Sequence, residues 1–390
     1  MRKTSRLLAA ALLLAQGAPA MATVNPGASA EPLLLVPMGT RAFGMGGAFT
    51  GVASDASALY YNPGGLARLT AHELAVSYIT GISDNNLQQY AYGGPLPFSG
   101  ISGNGYASVG TSLLVAQGGN IQINTLNPDG TLGGTSNVSA SNDLIYSLGY
   151  AERVGSTPVE TKDGGSYGIN HFLGVSGKLV HSTLVQAYTA NTASADVGYL
   201  MQSPETGLSM GLSGLNLGGS LRYSQVADPF PTMLRAGFAW QGAVQSDQVF
   251  TLATDGVYDV RGRQWHADLG GEYFIMKTFG FRLGYQFLQD VVGFTAGFGY
   301  RWKSRIMIDY AFGYSQGVND SHRFTVTWRF GGVNPAVRGK NRKPFMEEAP
   351  EREAEPVESM DQKRPTSEPA PSPRSTPHEA PTQGVPGWIY

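Results

Sequence analysis

The sequence of 390 residues has no cysteine, and only 14% of its residues are charged, with a net charge of −2. The lack of cysteine excludes a disulfide scaffold and every zinc site that uses thiolate ligands. The near-neutral charge predicts no nucleic-acid partner. Beyond the N-terminal segment, no apolar run approaches the roughly 20 residues that a transmembrane helix needs. The chain must therefore hide its apolar surface without disulfides and without helical membrane spans.

The N-terminus is typical of a secretory signal. Basic residues at positions 2, 3 and 6 precede an apolar core at 7–14, and small residues offer cleavage sites ending at Ala20 or Ala22. The apolar core is much shorter than a membrane anchor. We predict that residues 1–22 are a signal peptide and that the chain is exported.

Residues 321–330 show the clearest pattern of the chain. Large apolar side chains alternate there with charged or hydroxylated ones, so a strand would have one apolar and one polar face. Similar alternation recurs over 71–330, and no helical pattern is present to cover the apolar faces. A closed barrel that is apolar outside and polar inside, set in a membrane, satisfies this arrangement. The apolar positions of the last strand are Phe324, Val326, Trp328 and Phe330, and the polar ones are Arg323, Thr325, Thr327 and Arg329.

Alternation and turn residues predict 14 strands over residues 71–330, an even number as in single-chain outer-membrane barrels. The fold class is therefore an all-β membrane protein, a 14-stranded antiparallel transmembrane β-barrel in the bacterial outer membrane. Long loops at 119–141 and 217–230 follow odd-numbered strands, which places the N-terminus in the periplasm, while 152–166 and 289–290 depart from that rule. The predicted strands are 72–82, 87–98, 103–118, 142–151, 167–180, 193–202, 206–216, 231–241, 247–258, 264–275, 279–288, 291–302, 305–315 and 321–330.

Two further segments flank the predicted barrel. Residues 23–70 are rich in Gly and Ala and show little alternation, and we predict that they form a hatch, or plug, mainly within or across the periplasmic mouth. Residues 331–390 are dense in Pro and mixed charge, with apolar residues returning only at Trp388-Ile389-Tyr390. This composition predicts a disordered periplasmic tail, either an inert spacer or a tether that binds a partner.

The strand period of two also fixes which charges face inward, once the apolar face is taken as outward. The two signs nearly balance, which favours a pairing network over a charge-selective pore. We expect Arg282, Arg301, Arg323 and Arg329 to pair with Asp268, Glu272 and Asp309. Lys178, Asp196, Arg235 and Asp255 are predicted to face inward as well.

Residues 39–66 carry the most specific motif. Its small residues allow close packing against a wall, and Asn62-Pro63-Gly64-Gly65 predicts a turn before the first strand. The glycines at 44, 46 and 47 do not make a nucleotide site, because a Lys-Ser/Thr ending is missing and Phe49 occupies the third small position of a dinucleotide fingerprint. The residues singled out in the motif are Arg41, Gly44, Gly46, Gly47, Asp55, Asn62 and Pro63.

This motif resembles the N-terminal signature of the FadL-type superfamily of outer-membrane barrels, the long-chain fatty acid transporters, and most closely that of its PorV/PorQ branch. Residues 41–48 match the Arg-Ala-x-Gly-Met-Gly-Gly-Ala stretch of that branch. Residues 54–66 match its Asp-Asp-Ala-x-Ala-x-x-x-Asn-Pro-Ala-Gly-Leu stretch apart from Ser54 and Gly64. The resemblance implies a 14-stranded barrel with the N-terminal segment as a hatch in the lumen.

The same resemblance leaves two functions open, because its relatives share a fold and not a task. One is transport of hydrophobic, fatty-acid-like molecules through a hatch-gated lumen, which predicts an apolar pocket beside the hatch and a lateral gap near residues 41–66. The alternative is a PorV-like secretion-system shuttle or scaffold that binds protein partners through its outer loops. We favour transport.

The sequence predicts neither an enzyme nor a cofactor. The six histidines are not in an H-E-x-x-H or similar metal spacing, and no G-x-S-x-G elbow is present. The expected partners are outer-membrane lipid, the barrel-assembly machinery through the last strand at 321–330, and either a hydrophobic ligand or a secretion partner.

Overall fold

The computed structural model describes residues 30–82, 85–103, 107–160, 165–245, 247–288, 292–303, 305–315 and 320–331. The predicted signal peptide, the first part of the predicted hatch at 23–29 and the predicted tail from residue 332 lie outside the described residues. None of the helices among the described residues is long and apolar enough to cross a membrane.

The predicted closed antiparallel barrel of 14 strands is confirmed. Each strand pairs with its neighbours in the chain, and the last strand closes the wall by pairing with the first, from His72 opposite Phe330 to Thr80 opposite His322. The strands are β1 His72–Ile82, β2 Asn85–Pro95, β3 Ala107–Gln117, β4 Ser141–Glu160, β5 Ser166–Leu184, β6 Tyr188–Ser203, β7 Leu208–Leu217, β8 Met233–Gln245, β9 Gln248–Asp259, β10 Gln264–Ile275, β11 Phe279–Phe287, β12 Val292–Trp302, β13 Ile306–Ser315 and β14 Ser321–Phe330.

The two ends of the barrel differ in their connections. One end, here called the loop end, bears the segments 118–140 and 218–232, and the opposite end, the terminal end, holds the start of β1 and the end of β14. A hairpin of Asn120–Leu126 and Leu132–Ser139 stands in the first of these segments. The predicted long loop at 152–166 is wrong, because β4 and β5 remain paired as far as Glu160 opposite Ser166.

The wall follows the predicted alternation. In β14 the polar side chains are mostly buried and face the interior, while Phe324, Val326 and Trp328 are exposed on the outside. The same division holds in β11, where Arg282 is buried and Leu283 is 61% exposed. A large apolar surface therefore surrounds the barrel.

Residues 30–70, here called the strap, lie in the interior. The strap contains helix α1 (Thr40–Gly44), helix α2 (Ala58–Tyr61) and the 3-10 helices Pro32–Leu35 and Pro63–Arg68. Large apolar side chains of the strap are fully buried and form most of the core together with inward-facing wall residues. The strap also reaches further than the mouth at the terminal end, because the amide of Ala30 donates to the carbonyl of Pro229 at the loop end (2.9 Å).

Candidate functional site

A chain of alternating charges joins the first part of the strap to the wall. The guanidinium of Arg41 in α1 donates to both carboxylate oxygens of Glu272, at 2.8 and 2.6 Å, and lies 3.2 Å from Asp55. Glu272 also accepts from Arg282 (2.7 Å), which in turn donates to Asp309 (2.6 Å). These groups are mostly buried, so each charge needs the neighbouring opposite charge to offset the loss of water.

A second polar cluster holds the next turn of the strap. The carboxylate of Asp255 accepts from the backbone amides of Phe49 (3.0 Å) and Thr50 (2.9 Å). Arg235 donates to Asp255 at 2.9 Å and to Asp268 at 3.2 Å. Asp268 thus pairs with Arg235, not with one of the four arginines expected from the sequence. Alternation places Asp255 inside the barrel but does not indicate that it binds the strap.

Arg329 has a different partner from the expected ones. Its guanidinium lies 2.8 Å from Glu73 across the junction of β1 and β14, so the predicted pairing of Arg329 with Asp268, Glu272 or Asp309 is wrong. Glu73 is buried and faces inward, and the weak alternation of the first strand does not indicate it.

The two remaining arginines of the predicted network contact aromatic rings. Arg323 donates to the carbonyl of Pro37 in the strap and lies over the ring of Phe43, 3.4 Å from its centroid. Arg301 lies over the ring of Phe274 at 4.9 Å. Among the described residues Arg323 forms no ion pair, so it does not have the expected carboxylate partner.

The glycines of the motif lie where strap and wall touch. Gly46 and Gly47 have positive φ angles of 66° and 83°, which favour glycine. A Cβ atom on Gly46 would lie 2.8 Å from the amide nitrogen of Tyr285, and one on Gly44 would lie 3.2 Å from the Cα atom of Gly297. Larger residues at these positions would push the strap away from the wall.

The wall has a matching set of glycines, here called the glycine belt. They face inward on β2 to β8, β10 and β11, and a Cβ atom on any of them would come within 3.0 Å of an atom of the strap. The strap thus occupies the space that larger side chains at these wall positions would fill. The belt consists of Gly93, Gly110, Gly149, Gly174, Gly198, Gly211, Gly237, Gly270 and Gly284.

Asn62 and Pro63 fix the second half of the strap. The buried amide of Asn62 donates to the carbonyls of Tyr199 (2.8 Å) and Thr50 (3.1 Å), and its oxygen accepts from the amide of Gly64 (3.1 Å). Pro63 then begins the 3-10 helix, where a missing amide hydrogen costs nothing. The predicted turn is therefore a capped helical turn that is also bonded to β6.

A cavity of about 490 Å³ lies between the strap and the loop end. One side is formed by residues 34–38 of the strap, which are all apolar. A few polar side chains reach it from the wall, among them Arg235, His266 and Arg323. Its apolar wall residues are Leu215, Met233, Trp265 and Leu288.

The wall beside residues 41–66 does not show the expected lateral gap. Within the described residues, the neighbouring strands remain hydrogen-bonded around the whole circumference. One distortion lies between β6 and β7, where the register shifts between Ala195 and Val197 and Asn216 has a φ of 56°. There Asp196 accepts from the amide of Asn216 (2.7 Å) and from Lys178 (3.0 Å), which holds the distorted strand in place.

The first residues of the strap include a buried acid. Glu31 is 5% exposed and precedes the 3-10 helix Pro32–Leu35. Burial, together with repulsion from Asp143, raises the pKa of the Glu31 carboxyl to about 8. In the described part of the chain, no group of three or more His, Cys, Asp or Glu residues is arranged to hold a metal ion.

A model of an uncharacterised protein family, UPF0164, matches residues 11–141. No curated protein matches the chain.

Several solved barrels resemble the fold. The CymD monoaromatic hydrocarbon channel has 14% identity and a TM-score of 0.45, covering 76% of this chain and 98% of its own. The toluene transporter TodX of Pseudomonas putida has 13% identity and a TM-score of 0.44, covering 74% and 96%. A FadL homologue of Pseudomonas aeruginosa has 11% identity and a TM-score of 0.41, covering 76% and 99%. At these identities and scores the likenesses say nothing about what this chain binds.

Proposed function

We propose that the chain is an outer-membrane barrel that admits hydrophobic small molecules, of a fatty-acid-like kind, into the cavity above the strap. The outside of the barrel supports the membrane location. Large apolar side chains such as Leu283, Phe281 and Trp328 stand exposed on it at 61%, 48% and 50%. A continuous wall of such residues is unfavourable in water and favourable in lipid. Barrels of this type span bacterial outer membranes.

The cavity is the observation that carries the proposed transport. Its volume suits a small organic molecule, and apolar side chains with a few polar groups are the usual lining of such sites. It lies at the loop end, which is the outer face if the N-terminus is periplasmic. A molecule arriving from outside would therefore meet the cavity before it meets the strap.

We propose that the strap acts as the hatch that closes the barrel below the cavity. Fully buried Phe43, Phe49 and Leu66 lie in the interior, and the charge clusters and the glycine belt hold the strap against the wall. Passage then requires a movement of the strap or a parting of the wall. Residues 30–38 line the cavity or lie close to it, outside the part of the strap held by the glycine belt.

Native mass spectrometry of the purified full chain tests this function. We expect a hydrophobic compound to co-purify at up to one molecule per barrel. Met233→Trp would fill part of the cavity and should lower the occupancy. Leu252→Trp is the matched control, because Leu252 lies on the neighbouring strand β9 and faces outward, 45% exposed.

Two outcomes would count against transport. A stoichiometric protein partner without any bound hydrophobe would favour the alternative, a secretion shuttle or scaffold that uses the hairpin Asn120–Leu126 and Leu132–Ser139 and the segment 218–232. Equal occupancy in the Met233→Trp and Leu252→Trp variants would show that the compound binds elsewhere.

A further inference from the structure

A second hollow lies on the outside of the wall, across strands β5 to β10. Its floor consists of small residues, Gly214, Ala236 and Gly256, where most outward positions of the barrel carry large side chains. The volume of this groove is about 710 Å³. Taller apolar side chains form its rim, including Leu173, Val197, Leu212 and Leu234. Apart from Ser213 and Arg235, the residues that line the groove are apolar or aromatic, and its floor faces away from the barrel interior.

Two aromatic residues border the groove at the loop end. The rings of Tyr258 and Trp265 are stacked with their centroids 4.4 Å apart, and both residues line the groove. Tyrosine and tryptophan are enriched where a membrane meets water, because their rings suit both environments. This end of the groove is therefore expected to lie at the level of the lipid head groups.

Two cations stand directly beyond that aromatic pair. The turn 260–263 joins Tyr258 of β9 to Trp265 of β10 and carries the exposed Arg261 and Arg263. Within the described residues neither guanidinium forms an ion pair. The nearby Asp259 lines the inner cavity instead, and its carboxylate accepts from the backbone amide of Arg261 at 2.9 Å.

We propose that this groove binds a phosphate-bearing, anionic membrane lipid, with an acyl chain on the small-residue floor and the phosphate at Arg261 and Arg263. Arginine binds phosphate oxygens through paired, charge-assisted hydrogen bonds. The apolar groove and the basic turn follow one another in the order of a lipid's tail and head group. Binding of this kind requires the barrel to stand in a membrane, and it does not depend on what the inner cavity binds.

Quenching of Trp265 fluorescence by brominated lipids tests the proposal. The full-length chain would carry Phe at Trp240, Trp302, Trp328 and Trp388, so that only Trp265 reports, and it would be reconstituted in phosphatidylcholine vesicles. We expect brominated phosphatidylglycerol to quench more strongly than brominated phosphatidylcholine. One basic residue near a membrane surface contributes about fivefold in affinity for anionic lipid. Arg261→Gln with Arg263→Gln should therefore remove the preference.

Filling the groove gives an independent readout. Gly256→Leu should reduce quenching by both lipids, since a Cβ there meets only the carbonyl oxygen of Ala236, at 4.0 Å, and the leucine side chain would occupy the floor. Gly271→Leu is the matched control, because it faces outward on β10 away from the groove and a Cβ there has no atom closer than 3.9 Å. Ala236→Leu offers a second filled groove if Gly256→Leu does not fold.

Two kinds of result would overturn the lipid site. The lipid site would be overturned if the two brominated lipids quenched Trp265 equally, or if the preference for phosphatidylglycerol survived in the double glutamine variant. Neither result would affect the proposed transport function. An absence of quenching by either lipid would overturn both proposals, because it would mean that the barrel wall does not contact lipid.

Discussion

The two halves of the strap are held in the barrel by different forces. Residues 40–51 lie against β7 to β14, where charged groups and backbone hydrogen bonds, such as Arg41 with Glu272 and the amide of Thr50 with Asp255, add to the packing on belt glycines. Residues 56–69 lie against β2 to β7, where apolar side chains such as Leu66 pack on belt glycines. One interior thus combines directional polar contacts on one side with close packing on the other.

This difference predicts different sensitivities. A buried charge needs a particular partner, so the loss of one carboxylate leaves cations without compensation. Close packing consists of many weak contacts, and it is disrupted by a substitution that adds atoms to a space already full. The first half should therefore respond most to changes of charge, and the second half most to added atoms.

The largest effect is expected for Glu272→Gln. Glu272 is 1% exposed and compensates both Arg41 and Arg282, so its neutralisation should cost about 3–5 kcal/mol of stability. The midpoint of the heat-induced shift in gel mobility measures the loss. Glu160→Gln is the control, since Glu160 is exposed at the end of β4 and should leave the midpoint unchanged. Equal midpoints for the two variants would contradict the charge-based attachment.

A smaller effect is expected for Gly174→Ala. A Cβ at Gly174 would lie 2.4 Å from the carbonyl carbon of Pro63, a backbone atom that cannot rotate away. Overpacking of this kind costs about 1–3 kcal/mol. Gly177 lies on the same strand and faces outward, and a Cβ there would meet no atom within 4 Å, so Gly177→Ala should be neutral in the same thermal assay. A neutral Gly174→Ala would show that the strap is not packed tightly against β5.

A third effect depends on pH and concerns only the first residues of the strap. In the folded state the Glu31 carboxyl has a pKa of about 8, whereas in the unfolded state its pKa is the ordinary value of 4.5. The contribution of protonated Glu31 to the stability of the folded state is therefore complete below pH 4.5 and is lost as the pH rises towards 8. A spin label on Leu35→Cys, the only thiol in the chain, should become more mobile over this range. Adding Glu31→Gln should make the mobility independent of pH.

The barrel could be predicted from sequence because alternation is a local signal. The predicted strands 72–82, 264–275 and 321–330 have the observed bounds. Contacts across a short turn follow from the same signal: Glu272 and Arg282 stand directly opposite each other on the hairpin of β10 and β11.

Contacts across the closure of the barrel do not follow from local patterns. Glu73 and Arg329 are directly opposite on β1 and β14, at the two ends of the barrel sequence, and their register depends on how the whole wall closes. The position of the strap also depends on the closed wall, so the sequence indicated its small residues and its turn but not the contacts of Asp255 with Phe49 and Thr50.

The glycine belt ties the sequence of the wall to that of the strap in matched pairs. Gly149 faces Leu59, Gly110 faces Leu66 and Gly93 faces Leu69. In each pair a leucine methyl group occupies the space that a side chain on the wall would need. A larger residue on the wall becomes acceptable only when its leucine is shortened, because the total volume must be kept. Related sequences should therefore exchange volume between these sites in a correlated way, and the paired positions would reveal the path of the strap without any structure.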